Sequence, residues 1–188
     1  PLPAPLAGLG EVAAVAWTTT PWTLPARLAV AVHPEHDYVA LRAGSRTVIV
    51  AAALAPALAD TLGLVEPALA RVTGRELEGV RSRHPWLDRI VPIVLADYVT
   101  LESGTGLVHT APGHGQEDYQ TGQKYGLDVL APVDGRGRFT DAVAEWAGQP
   151  VSAANPAIIE HLRSVGTLVA ARRMSARSIA SLVRACHS

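Results

Sequence analysis

The stretch Trp17-Thr18-Thr19-Thr20-Pro21-Trp22-Thr23-Leu24-Pro25 crowds four hydroxyls between an apolar run and the alternating run LAVAV. A strand needs no such density of threonine for packing, and Pro21 and Pro25 fix φ and lack amide donors. Residues 18–26 therefore read as an irregular loop whose side chains hold something polar. A second dense stretch, GTGLVHTAPGHGQEDY over residues 104–119, holds four glycines together with His109, His114, Glu117 and Asp118. Glycine lets backbone approach a ligand closely. A strand ending at His109, a turn through Gly113 and a helix opening near Gln116 would gather imidazole, free amides and a carboxylate into a pocket wall.

Each feature also has a plain reading. Threonines cap turns through side-chain-to-backbone bonds, and an acid such as Asp118 suits the first turn of a helix. A histidine ending an apolar strand is commonly a satisfied core residue, and His114 between glycines can simply shape its loop. His109, His114 and Asp118 offer zinc-compatible donors, but their spacing matches no strong zinc signature.

The elements that must carry these loops are mostly short strands. EVAAVAW enters the threonine loop, LAVAVHP, DYVALR and RTVIVAA follow, and RIVPIVLADYV and GLVHTA come later. Pro92 argues that RIVPIVLADYV is bulged or at an edge. TGRELEGV reads as a turn and strand, and LDVLAPV as a short strand. Residues 52–62 suit a short helix, as do residues 116–125, with acids first and Lys124 last. NPAIIEHLRSVG is the best-marked helix, with Asn155 as N-cap, Pro156 at N1 and Gly166 as stop. Many short strands with few helices indicate an α+β chain built on a β-barrel or strongly curved sheet with peripheral helices.

The chain has 188 residues, a formal net charge of −1, 48% hydrophobic residues and one cysteine, Cys186. Such a chain can bury a sizeable core and is not composed like a disordered one. A stand-alone nucleic-acid binder is usually distinctly basic. Cys186 has no internal disulfide partner, and no apolar run reaches membrane-spanning length. The basic tail, AARRMSARSIASLVRACHS, reads as an amphipathic helix or a frayed end.

Taken together and in order, WTTTPWTLP and GTGLVHTAPGHGQEDY resemble the editing domain inserted in isoleucyl-tRNA synthetase, of the bacterial or organellar type. GRELEGVRSRHPWLDRIVPIVLADYVTLESGTG and GQKYGLDVLAPVDGRGRFT are similar to the same family. The valyl and leucyl relatives typically carry Thr-Thr-Arg-Pro in the first loop, so Thr20-Pro21-Trp22 points to the isoleucyl branch. The resemblance spans roughly residues 12–170, with residues 1–11 as an N-terminal connector and 171–188 as a divergent tail.

The resemblance implies a β-barrel-like editing fold and hydrolysis of valine mischarged on the tRNA for isoleucine. One methylene is worth only ~1–3 kcal/mol in an apolar pocket, a figure for which the isoleucyl enzyme is itself the worked example. It further implies that Thr18, Thr19 and Thr20 surround the aminoacyl ester and orient water. Trp22 would pack beside the pocket, with Gly113 and His114 in its substrate-binding wall. Asp118 would hold the α-ammonium, and His109 would exclude isoleucine's extra methyl.

No metal or cofactor is implied for editing, since ATP serves only the catalytic domain of such synthetases. No His-Ile-Gly-His motif is present, and RRMSARS only loosely resembles a Lys-Met-Ser-Lys-Ser loop, in the wrong context. The implied partners are the acceptor end of aminoacylated tRNA(Ile) and the rest of the synthetase, with no membrane. The implied compartment is cytoplasmic or organellar (mitochondrion or plastid). Arg27 stands where the family usually has Asn, which leaves open a weakened, binding-only remnant or an added phosphate contact. A metal-dependent hydrolase is the remaining alternative.

Overall fold

The computed structural model describes residues 2–172 and 178–185, the last eight and Arg172 as backbone. The expectations for Cys186 and for most of RRMSARS lie outside the described residues. Among the described residues, ten strands form one curled, mixed sheet. β1 (Val12–Thr18) is its hub. It runs parallel to β4 (Arg46–Ala51) along Val12–Ala14, meets β8 (Leu107–Thr110) at Trp17 and Val108, and lies antiparallel to β10 (Ser178–Ala185).

From β8 the sheet continues through β2 (Ala29–Val32), β7 (Ile90–Leu95) and β6 (Arg81–Arg83) to β10. Because β10 also pairs with β1, those strands close into a small barrel. β4 leads outward to β3 (Asp37–Ala43) and β5 (Leu64–Thr73), while β9 (Leu168–Arg172) flanks β10. The barrel-like α+β expectation holds.

β1 reads as a nearly unbroken apolar run because both of its faces are covered. Val12, Ala14 and Ala16 point into the barrel core with Val30, Val32, Ile93 and Leu107. Ala13 and Val15 face Val39, Leu41, Val48 and Val50, covered by Ala55 and Leu62 of α1 (Ala55–Leu62). Leu6, in the expected N-terminal connector, is fully buried in the barrel core. On another side, α4 (Val151–Ser164) packs Ala154, Ile158 and Leu162 against Leu24, Phe139 and Trp146.

Several local readings are corrected. Pro92 is accommodated inside the sheet: β7 lies between β2 and β6, and its register with β2 begins only at Ile93. TGRELEGV opens with a helical turn, α2 (Gly74–Leu77), because Thr73 and Glu76 form a reciprocal capping box. LDVLAPV makes no strand. Leu127 N–H is used on Gly122 O to close α3 (Gln116–Tyr125), and only Val133 forms a bridge, with Phe139. The tail is neither helix nor frayed through 178–185, since its backbone fills the otherwise open edges of β1 and β6. α4 begins at Val151, so Asn155 is inside the helix and not its N-cap.

Candidate hydrolytic site

The threonine loop leaves β1 and turns at once into a 3-10 helix, Pro21–Ala26. Thr18 is buried, Thr19 exposed and Thr20 half-buried. Thr18 Oγ1 accepts from the Thr20 amide at 3.1 Å and lies 3.5 Å from Thr20 Oγ1, which is 3.3 Å from Thr23 Oγ1. Thr23 donates to Thr20 O at 2.8 Å and lies 2.8 Å from His109 Nε2. A hydroxyl has one proton. With Thr23's proton on Thr20 O, His109 must donate from Nε2, leaving Nδ1 as a lone pair. Nδ1 is buried without a hydrogen-bond partner among the described residues.

β8 delivers His109 to this contact through its antiparallel register with β2, where His109 faces Val30. Burial, then the nearby Arg27 charge, holds the His109 imidazole well below its ordinary pKa. It is neutral at physiological pH. Beyond the end of β8, the Ala111 amide donates to Asp118 Oδ2 at 2.8 Å, and Tyr98 Oη donates to Oδ1 at 3.1 Å. Asp118 thus sits in the first turn of α3, tied back to the strand that carries His109. Burial raises its pKa against the opposing pull of those two donors. Trp22 and His114 meet edge to face, with ring centroids 5.0 Å apart. The two loops, 86 residues apart at Thr23 and His109, therefore form one wall.

Gly113 has a packing reason to be glycine: a Cβ there would stand 2.4 Å from Leu130 O. Arg27 is fully buried, so it is not offered to a phosphate in solvent, and burial lowers its guanidinium to about 9. Its segment is clamped from the β6–β7 connection. Arg89 Nη1 donates to Pro25 O and Arg27 O, at 2.9 and 3.0 Å, and His84 Nε2 bonds Leu24 O at 2.8 Å. Among the described residues, no three His, Cys, Asp or Glu side chains converge as a metal-binding group. His84, Arg89, Tyr98 and Asn155 escape a reading of the sequence as site residues, because each acts through a long-range contact that no local spacing signals.

A curled mixed sheet that brings threonine hydroxyls against a neutral imidazole has counterparts among known proteins. The family described as leucyl-tRNA synthetase, editing domain, matches residues 13–162. The chain belongs to this family of synthetase editing domains. Within it, the sequence is similar to the corresponding part of isoleucine–tRNA ligases. It is 54% identical over 162 residues to the isoleucine–tRNA ligase of Nitratidesulfovibrio vulgaris strain Miyazaki F, covering 86% of this chain and 17% of that protein. It is 49% identical over 161 residues to the ligase of Fervidobacterium pennivorans, covering 86% and 18%.

The chain thus spans about a sixth of the length of these relatives. The crystal structure of the P. falciparum cytosolic leucyl-tRNA synthetase editing domain superposes with a TM-score of 0.67 at 10% identity, covering 86% of this chain and 80% of that one. The P. knowlesi counterpart gives 0.63 at 11%, covering 90% and 83%. These two support the fold. Among the described residues, no helix is long and apolar enough to cross a membrane.

Proposed function

We propose that the chain hydrolyses valine esterified to the tRNA for isoleucine, as the proofreading part of an isoleucine–tRNA ligase. The observation that carries this reading is the 2.8 Å contact of Thr23 with His109, which joins the hydroxyl cluster to the loop bearing Asp118. Water adds to the ester carbonyl, and the terminal ribose oxygen leaves with a proton, releasing free valine and intact tRNA. Thr18, Thr19 and Thr20 orient the water and the ester by hydrogen bonds, which is positioning catalysis on an already activated bond.

Asp118 receives the α-ammonium. Its carboxylate is partly desolvated, so an incoming cation relieves the penalty that raises its pKa. His109, being neutral, does not repel that ammonium and forms the steric stop against a longer side chain, with Trp22, Gly113 and His114 completing the wall. The hydrolysis needs no metal or cofactor. The acceptor end of the tRNA and the remaining synthetase domains are the partners, in the cytoplasm of a bacterial-type cell.

The test is deacylation of valyl-tRNA(Ile) by the purified chain, with and without a chelator. Turnover above the spontaneous rate, unaffected by chelation and lowered about 10–100-fold in Asp118→Ala, is expected for a lost charge-assisted contact. A fully active Asp118→Ala protein removes the ammonium anchor. Salt-sensitive tRNA binding without turnover would leave only a binding remnant.

A further inference from the structure

We infer that Asn155 of α4 is a positioning residue for the hydroxyl cluster, capping from a distance the 3-10 helix that carries it. This rests on the hydrolytic reading above only for its effect on turnover. The first amides of any helix lack intrahelical partners and need capping groups. In the helix Pro21–Ala26, Pro21 has no N–H, and the Thr23 amide is taken by Thr20 O at 3.0 Å. The Trp22 amide is left. The residue in the N-cap position, Thr20, makes no side-chain cap bond to it. Instead the Trp22 amide donates to Asn155 Oδ1 at 3.0 Å, across 133 residues of chain.

The consequence is chemical. A threonine that caps its own helix spends its Oγ1 on a backbone amide. With Asn155 supplying the acceptor, Thr20 Oγ1 has as hydrogen-bonding neighbours among the described residues two hydroxyls, Thr18 Oγ1 at 3.5 Å and Thr23 Oγ1 at 3.3 Å, and remains available to a ligand. The same bond fixes the backbone of Trp22, whose ring abuts His114 on the second loop. α4 is a firm base for this, because Ala154, Ile158 and Leu162 around Asn155 are fully buried, against a core that includes Leu24 of the same 3-10 helix. Asn155 is therefore kept inside a helix, where asparagine is a poor residue, for a contact made outside it.

The test compares Asn155→Ala, which removes the acceptor, with Asn155→Asp, which retains one. Alanine is the best helix former, so α4 itself is not weakened. Amide hydrogen exchange at Trp22 is the first readout. It should speed about 5–30-fold in Asn155→Ala, as loss of one hydrogen-bond acceptor implies, and stay close to wild type in Asn155→Asp. Deacylation of valyl-tRNA(Ile) is the second. kcat should fall about 10-fold in Asn155→Ala with KM little changed, and recover in Asn155→Asp.

Wild-type exchange at Trp22 in Asn155→Ala overturns the capping role. So does equal impairment of the two variants, since the acceptor would then be immaterial. If Asn155→Ala speeds exchange at Trp22 but the wild-type chain hydrolyses nothing, the cap stands and the hydrolytic reading fails instead.

Discussion

Acid should unfold this protein through a buried histidine that cannot accept a proton. His84 is 4% exposed, donates from Nε2 to Leu24 O, and accepts the Leu87 amide on Nδ1 at 3.1 Å. Both ring nitrogens are engaged as a neutral imidazole requires. Burial first, and the Arg27 charge second, lower its pKa from 6.5 to about 3. A depressed folded-state pKa means that the unfolded chain binds the proton first. The contribution to stability is present above pH 6.5 and is lost as pH falls toward 3. With those two values, linkage gives a loss of about 3 kcal/mol at about pH 4.5, a large share of a typical domain's stability.

His109 is shifted in the same direction and adds to the loss. The assay is urea unfolding of wild type and His84→Gln between about pH 7.5 and 4.5. Gln keeps a donor for Leu24 O but has no group that titrates in this range, so its stability should fall by about 3 kcal/mol less than wild type. Parallel curves for the two proteins would refute the argument.

Other consequences follow from the same contacts. His109→Ala should let isoleucyl-tRNA(Ile) be hydrolysed while valyl-tRNA(Ile) still is, and unchanged protection of the isoleucyl ester would dismiss the steric role. Gly113→Ala should cost about 2 kcal/mol or more, because its Cβ would meet Leu130 O at 2.4 Å, whereas Gly135→Ala meets nothing and should stay within about 0.5 kcal/mol. Thermal unfolding of the pair decides it. Thr73→Ala removes the capping box with Glu76 and should cost about 1 kcal/mol by urea unfolding, with deacylation untouched.

Much of the site is legible in the amino-acid sequence, because its two loops advertise themselves by local composition. Four threonines within residues 18–23 and a glycine-rich strand-to-helix turn are unusual as packing, and their order suffices to suggest the family. α3 is equally open to reading, with acids at its start and Lys124 at its end. Local patterns mislead where a distant partner competes for the same group. Asn155 followed by Pro156 reads as a helix start, yet Trp22 claims the carboxamide and the helix begins four residues earlier. LDVLAPV reads as a short strand, but its first amide closes α3 and its backbone abuts Gly113.

Sequence alone determined the chemistry present: which hydroxyls, imidazoles and carboxylate are carried, on which kinds of element, and in a chain apolar enough to bury strands on both faces. Only the tertiary structure decided that Thr23 meets His109, that Asp118 is held by Ala111 and Tyr98, and that Arg27 is buried. Helix and turn signals act within a few residues, whereas hydrogen-bond satisfaction and burial are settled between segments that the sheet brings together.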